Sequence, residues 1–306
     1  MLDFKPFNIE SKNILEPYYF QYGEGSCQHS FTSSFCMKEK YGDCYDIKDD
    51  FLFVFRSKRS AAGKRVYLFP LGDIKDPSAA CRAVDRVIED AHERGAKVVF
   101  ETVTKNACDF LYRYYEKTFY IEEKRENAEY IFSREKLTEL GGKDFEEKRW
   151  EIHKFQKEYE GRFKIERMND SHFIQIKDFT EKWYRIYSSP ENQNQLSAEK
   201  SALNFALDNF DQLGLDGIVI LIDNKIAAYA LGMKLNRTYY DGFMEKADRT
   251  YKYIYKTLNH SVAKYCSSEI KWLNWEEDLG NEGLRKMKLS WKPEFLIKKF
   301  LATEKD

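Results

Sequence analysis

The sequence predicts a duplicated α+β fold, in which two consecutive domains each carry a mixed β-sheet flanked by helices. The chain has 306 residues, a length typical of about two domains. A predicted order of strand, strand, helix, strand, helix, strand occurs twice along it. Gly141 and Gly142 lie between the two series, so we expect an N-terminal domain over residues 1–140 and a C-terminal domain over residues 141–306.

The first series opens with two apolar segments that are typical of neighbouring strands. Asp76 precedes Pro77, an order that indicates a helix start, because proline is favoured at the first helical position. Gly95 is expected to stop this helix. The predicted elements are strands at 51–57 and 65–72, a helix from residue 77, a strand at 97–103, a helix through 110–115, and a final strand or hairpin at 119–133.

The second series follows an insertion of helices. Its clearest periodicity lies in the segment 249–266, where Tyr251, Ile254 and Leu258 share one helical face. A hairpin is expected to turn at Asn224 and Lys225. The predicted elements are helices at 143–160, 171–187 and 197–212, hairpin strands at 217–223 and 226–235, a strand at 237–245, the helix at 249–266, a strand at 270–276, a short helix, and a terminal segment at 294–301.

Charge and composition exclude several classes of protein. The net charge is −1 and neither half is biased, so contact with RNA or a lipid headgroup requires a local patch. The chain shows no signal-peptide pattern and no run near the ~18 apolar residues of a spanning helix, so we expect a cytoplasmic protein without a transmembrane segment. The six cysteines include no Cys-x-x-Cys pair. We therefore expect free thiols and no metal site.

The stretch from Trp272 to Pro293 is the richest in candidate chemistry. Three consecutive acids, Glu276, Glu277 and Asp278, are followed by a glycine turn and a basic segment. Carboxylates at a strand end facing cations fit a site for proton transfer beside a phosphate or a polarised carbonyl. A charged turn that closes the fold explains the same residues equally well.

This stretch also carries a family resemblance. It is similar to the signature of a bacterial family of unknown function that is grouped with the C-terminal domain of phosphatidylglycerol lysyltransferases. The resemblance implies two tandem GNAT-like domains, the fold of N-acyltransferases. The matching residues are Asn274, Glu276, Asp278, Leu279, Gly280, Gly283, Leu284, Arg285 and Lys288.

Acetyl-CoA is disfavoured as a cofactor, and no other cofactor is predicted. GNAT enzymes usually hold its pyrophosphate on a glycine-rich turn at a helix start. The corresponding segment at 244–251 has no glycine, and the one at 72–77 has one glycine and two acids. Gly23-Glu-Gly-Ser26 resembles a phosphate loop only superficially, because no lysine follows it. The lysyltransferase resemblance implies aminoacyl-tRNA as a donor, with a phospholipid headgroup or another small molecule as acceptor.

We therefore expect an acyltransferase site in the C-terminal domain. Glu276 or Asp278 is the expected base, and Arg285 and Lys288 are expected to hold a phosphate of tRNA or of an acceptor headgroup. An ion pair of Asp278 with Arg285 is the structural alternative. A ligand-binding or RNA-binding protein without catalytic activity, on the same duplicated scaffold, is the alternative function. The other residues expected to bind substrate are Asp241, Asn259, Asn274 and Arg149.

Overall fold

The computed structural model describes residues 2–187 and 193–306. Contacts divide the chain into two compact units that are discontinuous in sequence. The first unit is Met1–Glu129, Glu277–Glu282 and Leu296–Asp306, and the second is Tyr130–Glu276 and Gly283–Phe295. The sequence predicted one division, between residues 140 and 141. By contacts, residues 130–140 fall in the second unit and two C-terminal segments fall in the first, while the division into domains stays a prediction.

The described residues form two mixed sheets of seven strands each. The strands are β1 (Lys5–Pro6), β2 (Asp43–Lys48), β3 (Phe51–Arg56), β4 (Lys64–Leu68), β5 (Lys97–Val103), β6 (Phe119–Glu123), β7 (Glu129–Ser133), β8 (Phe163–Arg167), β9 (Asp216–Ile222), β10 (Lys225–Lys234), β11 (Tyr239–Ala247), β12 (Trp272–Asn274), β13 (Phe295–Ile297) and β14 (Phe300–Glu304).

Helices account for most of the remaining regular structure, and none of the described ones is both long and apolar enough to cross a bilayer. They are α1 (Lys12–Tyr22), α2 (Phe31–Cys36), α3 (Lys38–Tyr41), α4 (Pro77–His92), α5 (Lys105–Tyr115), α6 (Arg134–Glu139), α7 (Glu146–Glu158), α8 (Asp170–Tyr187), α9 (Gln193–Asp208), α10 (Phe210–Leu213), α11 (Ile254–Tyr265) and α12 (Glu282–Leu289).

The sheet of the first unit has the strand order β1-β2-β3-β4-β5-β14-β6. The pair β4–β5 is parallel, and the other pairs are antiparallel. The helix α4 begins as predicted. The Asp76 carboxylate accepts hydrogen bonds from the backbone N–H groups of Ser78 and Ala79, at 3.0 and 3.1 Å. Its apolar face, with Val84 and Val87, packs in the core of this unit.

The sheet of the second unit has the order β13-β7-β12-β11-β10-β9-β8. In this sheet β11 and β12 pair in parallel. Ile254 and Leu258 of α11 pack with Phe155 of α7 and the strands β9 and β10 in one core. The periodicity at 249–266 therefore predicted this buried face correctly, although the helix itself begins only at Ile254.

Two predicted connections differ from the structure. The segment 119–133 is not a single strand or a hairpin, because a 3-10 turn at Arg125–Asn127 separates β6, which pairs with β14, from β7, which pairs with β12. The hairpin β9–β10 turns at Asp223 and Asn224, one residue earlier than expected. Both residues have positive φ (51° and 60°), as a two-residue type I′ turn requires, and Asn and Asp tolerate this conformation better than lysine.

An ion pair without solvent contact lies in the first unit. The Lys299 ammonium is 2.8 Å from a carboxylate oxygen of Glu129, and both side chains are 0% exposed. The Ser26 hydroxyl and the Cys27 backbone N–H donate to the same carboxylate at 2.8 and 3.1 Å. Lys299 also contacts the Ser26 oxygen. Because every charge here is desolvated, each group depends on the others for compensation.

We expect Lys299→Met to lower the free energy of unfolding by about 3–5 kcal/mol, because it leaves the Glu129 carboxylate buried without its counter-charge. The neighbouring Lys298→Met is the matched control. Lys298 pairs with Glu123 at 3.0 Å, but its side chain is 54% exposed, so its loss is expected to stay below about 1 kcal/mol. Urea unfolding of both variants measures the difference, and equal losses would contradict the assignment.

Candidate active site in the second unit

The candidate site begins where the parallel strands β11 and β12 end their pairing. The last register pair is Asp241 with Asn274, and both side chains are 0% exposed. The Asn274 side-chain oxygen accepts the backbone N–H of Glu276 at 2.8 Å, a turn typical of asparagine. Glu276 has φ of 57°, which takes the chain out of the extended conformation. The strand predicted at 270–276 therefore stops at Asn274.

Lys288 of α12 holds this turn. Its ammonium donates to the backbone carbonyls of Trp275 and Glu276 at 2.5 and 3.2 Å, and it lies 5.5 Å from the centre of the Tyr130 ring. The side chain is 5% exposed. The predicted role of Lys288 was contact with a phosphate. The two hydrogen bonds to the backbone fix the turn, and contact with a phosphate stays a prediction.

A β-bulge in β11 adjoins the same strand end. Leu231 pairs with Met244 and Met233 pairs with Asp241, so two residues of β11, Gly242 and Phe243, lie opposite Gly232 alone. A Cβ atom on Gly232 would lie 2.0 Å from the Asp241 carbonyl oxygen, so glycine is required there. Bulges release backbone groups from the regular ladder and occur often beside active sites.

Glu245 is a functional candidate that the sequence analysis missed. It follows the bulge on β11 and is partly buried. Desolvation raises the pKa of its carboxyl above the ordinary value, although the nearby cations Lys288 and Lys246 act to lower it. A carboxyl with a raised pKa accepts a proton more readily than an ordinary one. A single acid within a strand matches no sequence motif. The one feature of the sequence that could have indicated Glu245 was its position in a largely apolar segment.

Asp278 lies in the first unit, unlike Glu276, which belongs to the second. The Asp278 carboxylate is 0% exposed. It accepts a hydrogen bond from the guanidinium of Arg125 at 3.2 Å and from the backbone N–H of Gly280 at 2.9 Å. The structure shows a partner that the sequence did not suggest, Arg125, 153 residues away. The ion pair with Arg285 stays a prediction. The contacts with Arg125 and Gly280 fix the Asp278 carboxylate in the turn, and its role as a base stays a prediction.

The remaining predicted residues, Asn259, Arg285 and Arg149, lie on three different helices. Asn259 is 4% exposed on α11, and Arg285 is partly buried on α12. Arg149 of α7 donates to the backbone carbonyls of Leu140 and, at 2.8 Å, Gly142, so it fixes the segment that leads into its own helix. The strand end thus brings together Asp241, Asn274, Glu276 and Lys288 from the predicted set. Glu245 lies further along β11, where the charge of Lys288 acts on it.

Comparison with known proteins identifies the family. The sequence profile described as "Phosphatidylglycerol lysyltransferase, C-terminal" matches residues 19–303. The chain belongs to this family. An uncharacterized protein of Mycoplasmoides gallisepticum is 26% identical over 177 residues, which are 58% of this chain and 56% of that protein. The alignment thus spans little more than half of that relative's length.

Solved structures establish the fold of this phosphatidylglycerol lysyltransferase family member. A conserved protein of unknown function from Bacteroides thetaiotaomicron matches all of this chain over its own full length, with 28% identity and a TM-score of 0.91. The C-terminal domain of a putative lysylphosphatidylglycerol synthetase from Agrobacterium fabrum gives 0.70 with 11% identity, over 97% of this chain and 92% of that one.

A tandem GNAT protein from the clavulanic acid biosynthesis pathway gives a TM-score of 0.51 with 8% identity, over 99% of this chain and 98% of that one. These likenesses confirm the predicted two-domain GNAT-like α+β fold.

We expect Glu245→Gln to stabilise the protein at pH 8 and to lose this advantage as the pH falls towards 4.5. Below the ordinary pKa of 4.5 the carboxyl is neutral in both the folded and the unfolded protein, so its burial does not destabilise the fold through ionisation. As the pH rises through the raised pKa of the folded state, ionisation disfavours folding, and glutamine avoids this cost. Thermal unfolding at several pH values measures the trend.

Glu269→Gln is the control for this pH series, because Glu269 is 76% exposed and its removal is expected to change stability by less than about 0.5 kcal/mol. A Glu245→Gln variant that is less stable than the wild type at pH 8 would show that the carboxylate is favourably bound in the fold.

Proposed function

We propose that this protein is an aminoacyltransferase that moves an aminoacyl group from aminoacyl-tRNA to an amine or hydroxyl acceptor. Membership of the phosphatidylglycerol lysyltransferase family supports the reaction class. The observation that carries the proposal is Glu245, a carboxyl with a raised pKa beside a bulged strand end. The ester of an aminoacyl-tRNA is already activated, so the transfer reaction mainly requires a base that removes the proton of the acceptor. A carboxyl of this kind can act as that base.

In the proposed step, the acceptor nitrogen or oxygen attacks the ester carbonyl of the aminoacyl-tRNA. Glu245 removes the acceptor proton as the new bond forms. The ester bond to the terminal ribose then breaks, and the proton passes to the leaving ribose oxygen. Backbone N–H groups of the bulge at Gly242 and Phe243 are the proposed donors to the oxyanion.

Glu276 is the proposed anchor for the ammonium group of the aminoacyl donor. Its side chain is only partly buried, whereas Asp241 and Asn274 are fully buried beside it. Asp241, Asn274 and Lys288 therefore act as positioning residues in this proposal. Asn274 and Lys288 hold the turn that presents the Glu276 carboxylate.

The start of α11 disfavours acyl-CoA as the donor. The Asp248 carboxylate accepts the backbone N–H and the hydroxyl of Thr250 at 2.9 and 2.7 Å in the connection between β11 and α11. GNAT enzymes place the CoA pyrophosphate at this connection, where an acid repels it. The acceptor is proposed to be a phospholipid headgroup or another small molecule, as the name of the Agrobacterium fabrum relative suggests.

The test is a transfer assay with radiolabelled aminoacyl-tRNAs, offered anionic phospholipid vesicles and small amines as separate acceptors. We expect product with at least one pair, and a roughly 10²–10⁴-fold lower rate for Glu245→Gln. Glu269→Gln, on an exposed carboxylate, is the matched control and should retain the wild-type rate. Circular dichroism and thermal unfolding establish that each variant is folded.

Two results would contradict the proposal. Transfer that is undiminished in Glu245→Gln would remove this carboxyl from the reaction. Binding of tRNA without transfer to any acceptor would favour the binding protein considered as the alternative.

We expect tRNA affinity to fall steeply with salt. In a plot of the logarithm of the binding constant against the logarithm of the salt concentration, Arg285→Ala should reduce the magnitude of the slope by about 1, the contribution of one phosphate contact. Lys288→Met should leave this slope unchanged, since the ammonium is 5% exposed and bonded to backbone carbonyls. Filter binding at several salt concentrations gives the slopes. A flatter slope for Lys288→Met than for Arg285→Ala would show that the assignment of the two cations is reversed.

A further inference from the structure

A cavity in the first unit lies where its parallel strands separate. The strands β4 and β5 pair from Lys64 with Lys97 to Leu68 with Glu101. Beyond these pairs, the segment after β4 and the start of α5 line a cavity of about 320 Å³. This volume is within the range of small-molecule sites. Its walls include Glu24, His29, Phe69, Leu71, Thr104 and Asn106.

His29 is a buried polar side chain in the wall of this cavity. It is 3% exposed, and neither ring nitrogen has a hydrogen-bond partner within the described part of the chain. Burial, together with the charges of Lys299 and Arg56, keeps the pKa of His29 well below its ordinary value. The ring is therefore neutral near pH 7 and offers one acceptor and one donor. An unsatisfied buried imidazole is costly, and a ligand in the cavity would remove that cost.

Glu24 provides a negative charge at the same cavity. The Thr104 hydroxyl and the Asn106 amide each donate to one of its carboxylate oxygens, both at 2.9 Å. These bonds fix the carboxylate and leave each oxygen able to accept another donor. The backbone is shaped for this position, since Glu24 and Gly25 both have positive φ, 55° and 73°.

The glycine-rich turn singled out in the sequence thus has a structural explanation. The Ser26 N–H donates to the Gly23 carbonyl at 3.0 Å and closes a tight turn around Glu24 and Gly25. A Cβ atom on Gly23 would lie 2.7 Å from the His29 carbonyl oxygen, so glycine lets the turn pack against His29. The turn presents a carboxylate to the cavity, which is the opposite of what a phosphate loop requires.

We propose that this cavity binds a small organic compound with a primary ammonium group, held by the Glu24 carboxylate and by a hydrogen bond to His29. A neutral imidazole accepts an N–H without repelling a cation. The other charges in the lining are Asp73 and Lys75, which are exposed and of opposite sign, so Glu24 is the carboxylate that a bound cation would contact. The cations Lys299 and Arg56, which act on His29, lie outside the lining. The proposal concerns residues of the first unit, and it does not depend on the proposed transfer reaction.

The test uses n-butylamine as the probe, with 1-butanol as the uncharged analogue, on the full chain at pH 7.5. Imidazole NMR signals report binding, and the His29 signal is assigned from its loss in His29→Gln. We expect saturable shifts of this signal with butylamine and none with butanol. Glu24→Gln should weaken butylamine binding at least tenfold, while Glu93→Gln, on a side chain 47% exposed outside the cavity lining, should not change it.

Equal binding of butylamine and butanol would overturn the proposal, and so would unchanged affinity in Glu24→Gln. If His29→Gln does not fold, the Glu24 variant and the two probes still decide the question. The readout is a residue of the first unit, so a negative result leaves the transfer reaction untouched. A negative transfer assay likewise leaves amine binding standing.

Discussion

The separation of a parallel strand pair is the constraint on which both units depend. Two parallel neighbours share a regular ladder only while they stay adjacent, and backbone groups beyond that point need other partners. In the second unit the partners are side chains. Asn274 accepts a backbone N–H, and Lys288 donates to two carbonyls. The polar groups that terminate the ladder are thereby gathered at one strand end, next to Glu276.

The first unit meets the same constraint in another way. Its strands separate around a cavity, and the turn at Glu24 is joined to the start of α5 through Thr104 and Asn106. Both units of the duplicated fold therefore contain a parallel strand pair that separates, but different groups occupy the space at the separation. A lysine and carboxylates close it in the second unit, whereas a neutral histidine and a carboxylate border an open space in the first.

The sequence predicted well those features that depend on local patterns. The strand at 97–103 coincides with β5, the start of α4 followed from Asp76 and Pro77, and the family signature indicated the fold. Features that depend on distant pairing were not predictable. Asp278 meets Arg125 across 153 residues, and β6 and β7 belong to different sheets. Glu245 also left no pattern, because its character comes from burial, which the sequence does not state.

The position of β14 has a consequence for how the chain folds during synthesis. This strand, Phe300–Glu304, lies between β5 and β6 in the first sheet, yet it is made about 180 residues after β6. Until it arrives, β5 and β6 each present an unpaired edge, and such edges favour pairing with other chains. A growing chain of this architecture cannot complete its first domain before its second has been translated. The usual order, in which the N-terminal domain finishes first, does not apply here.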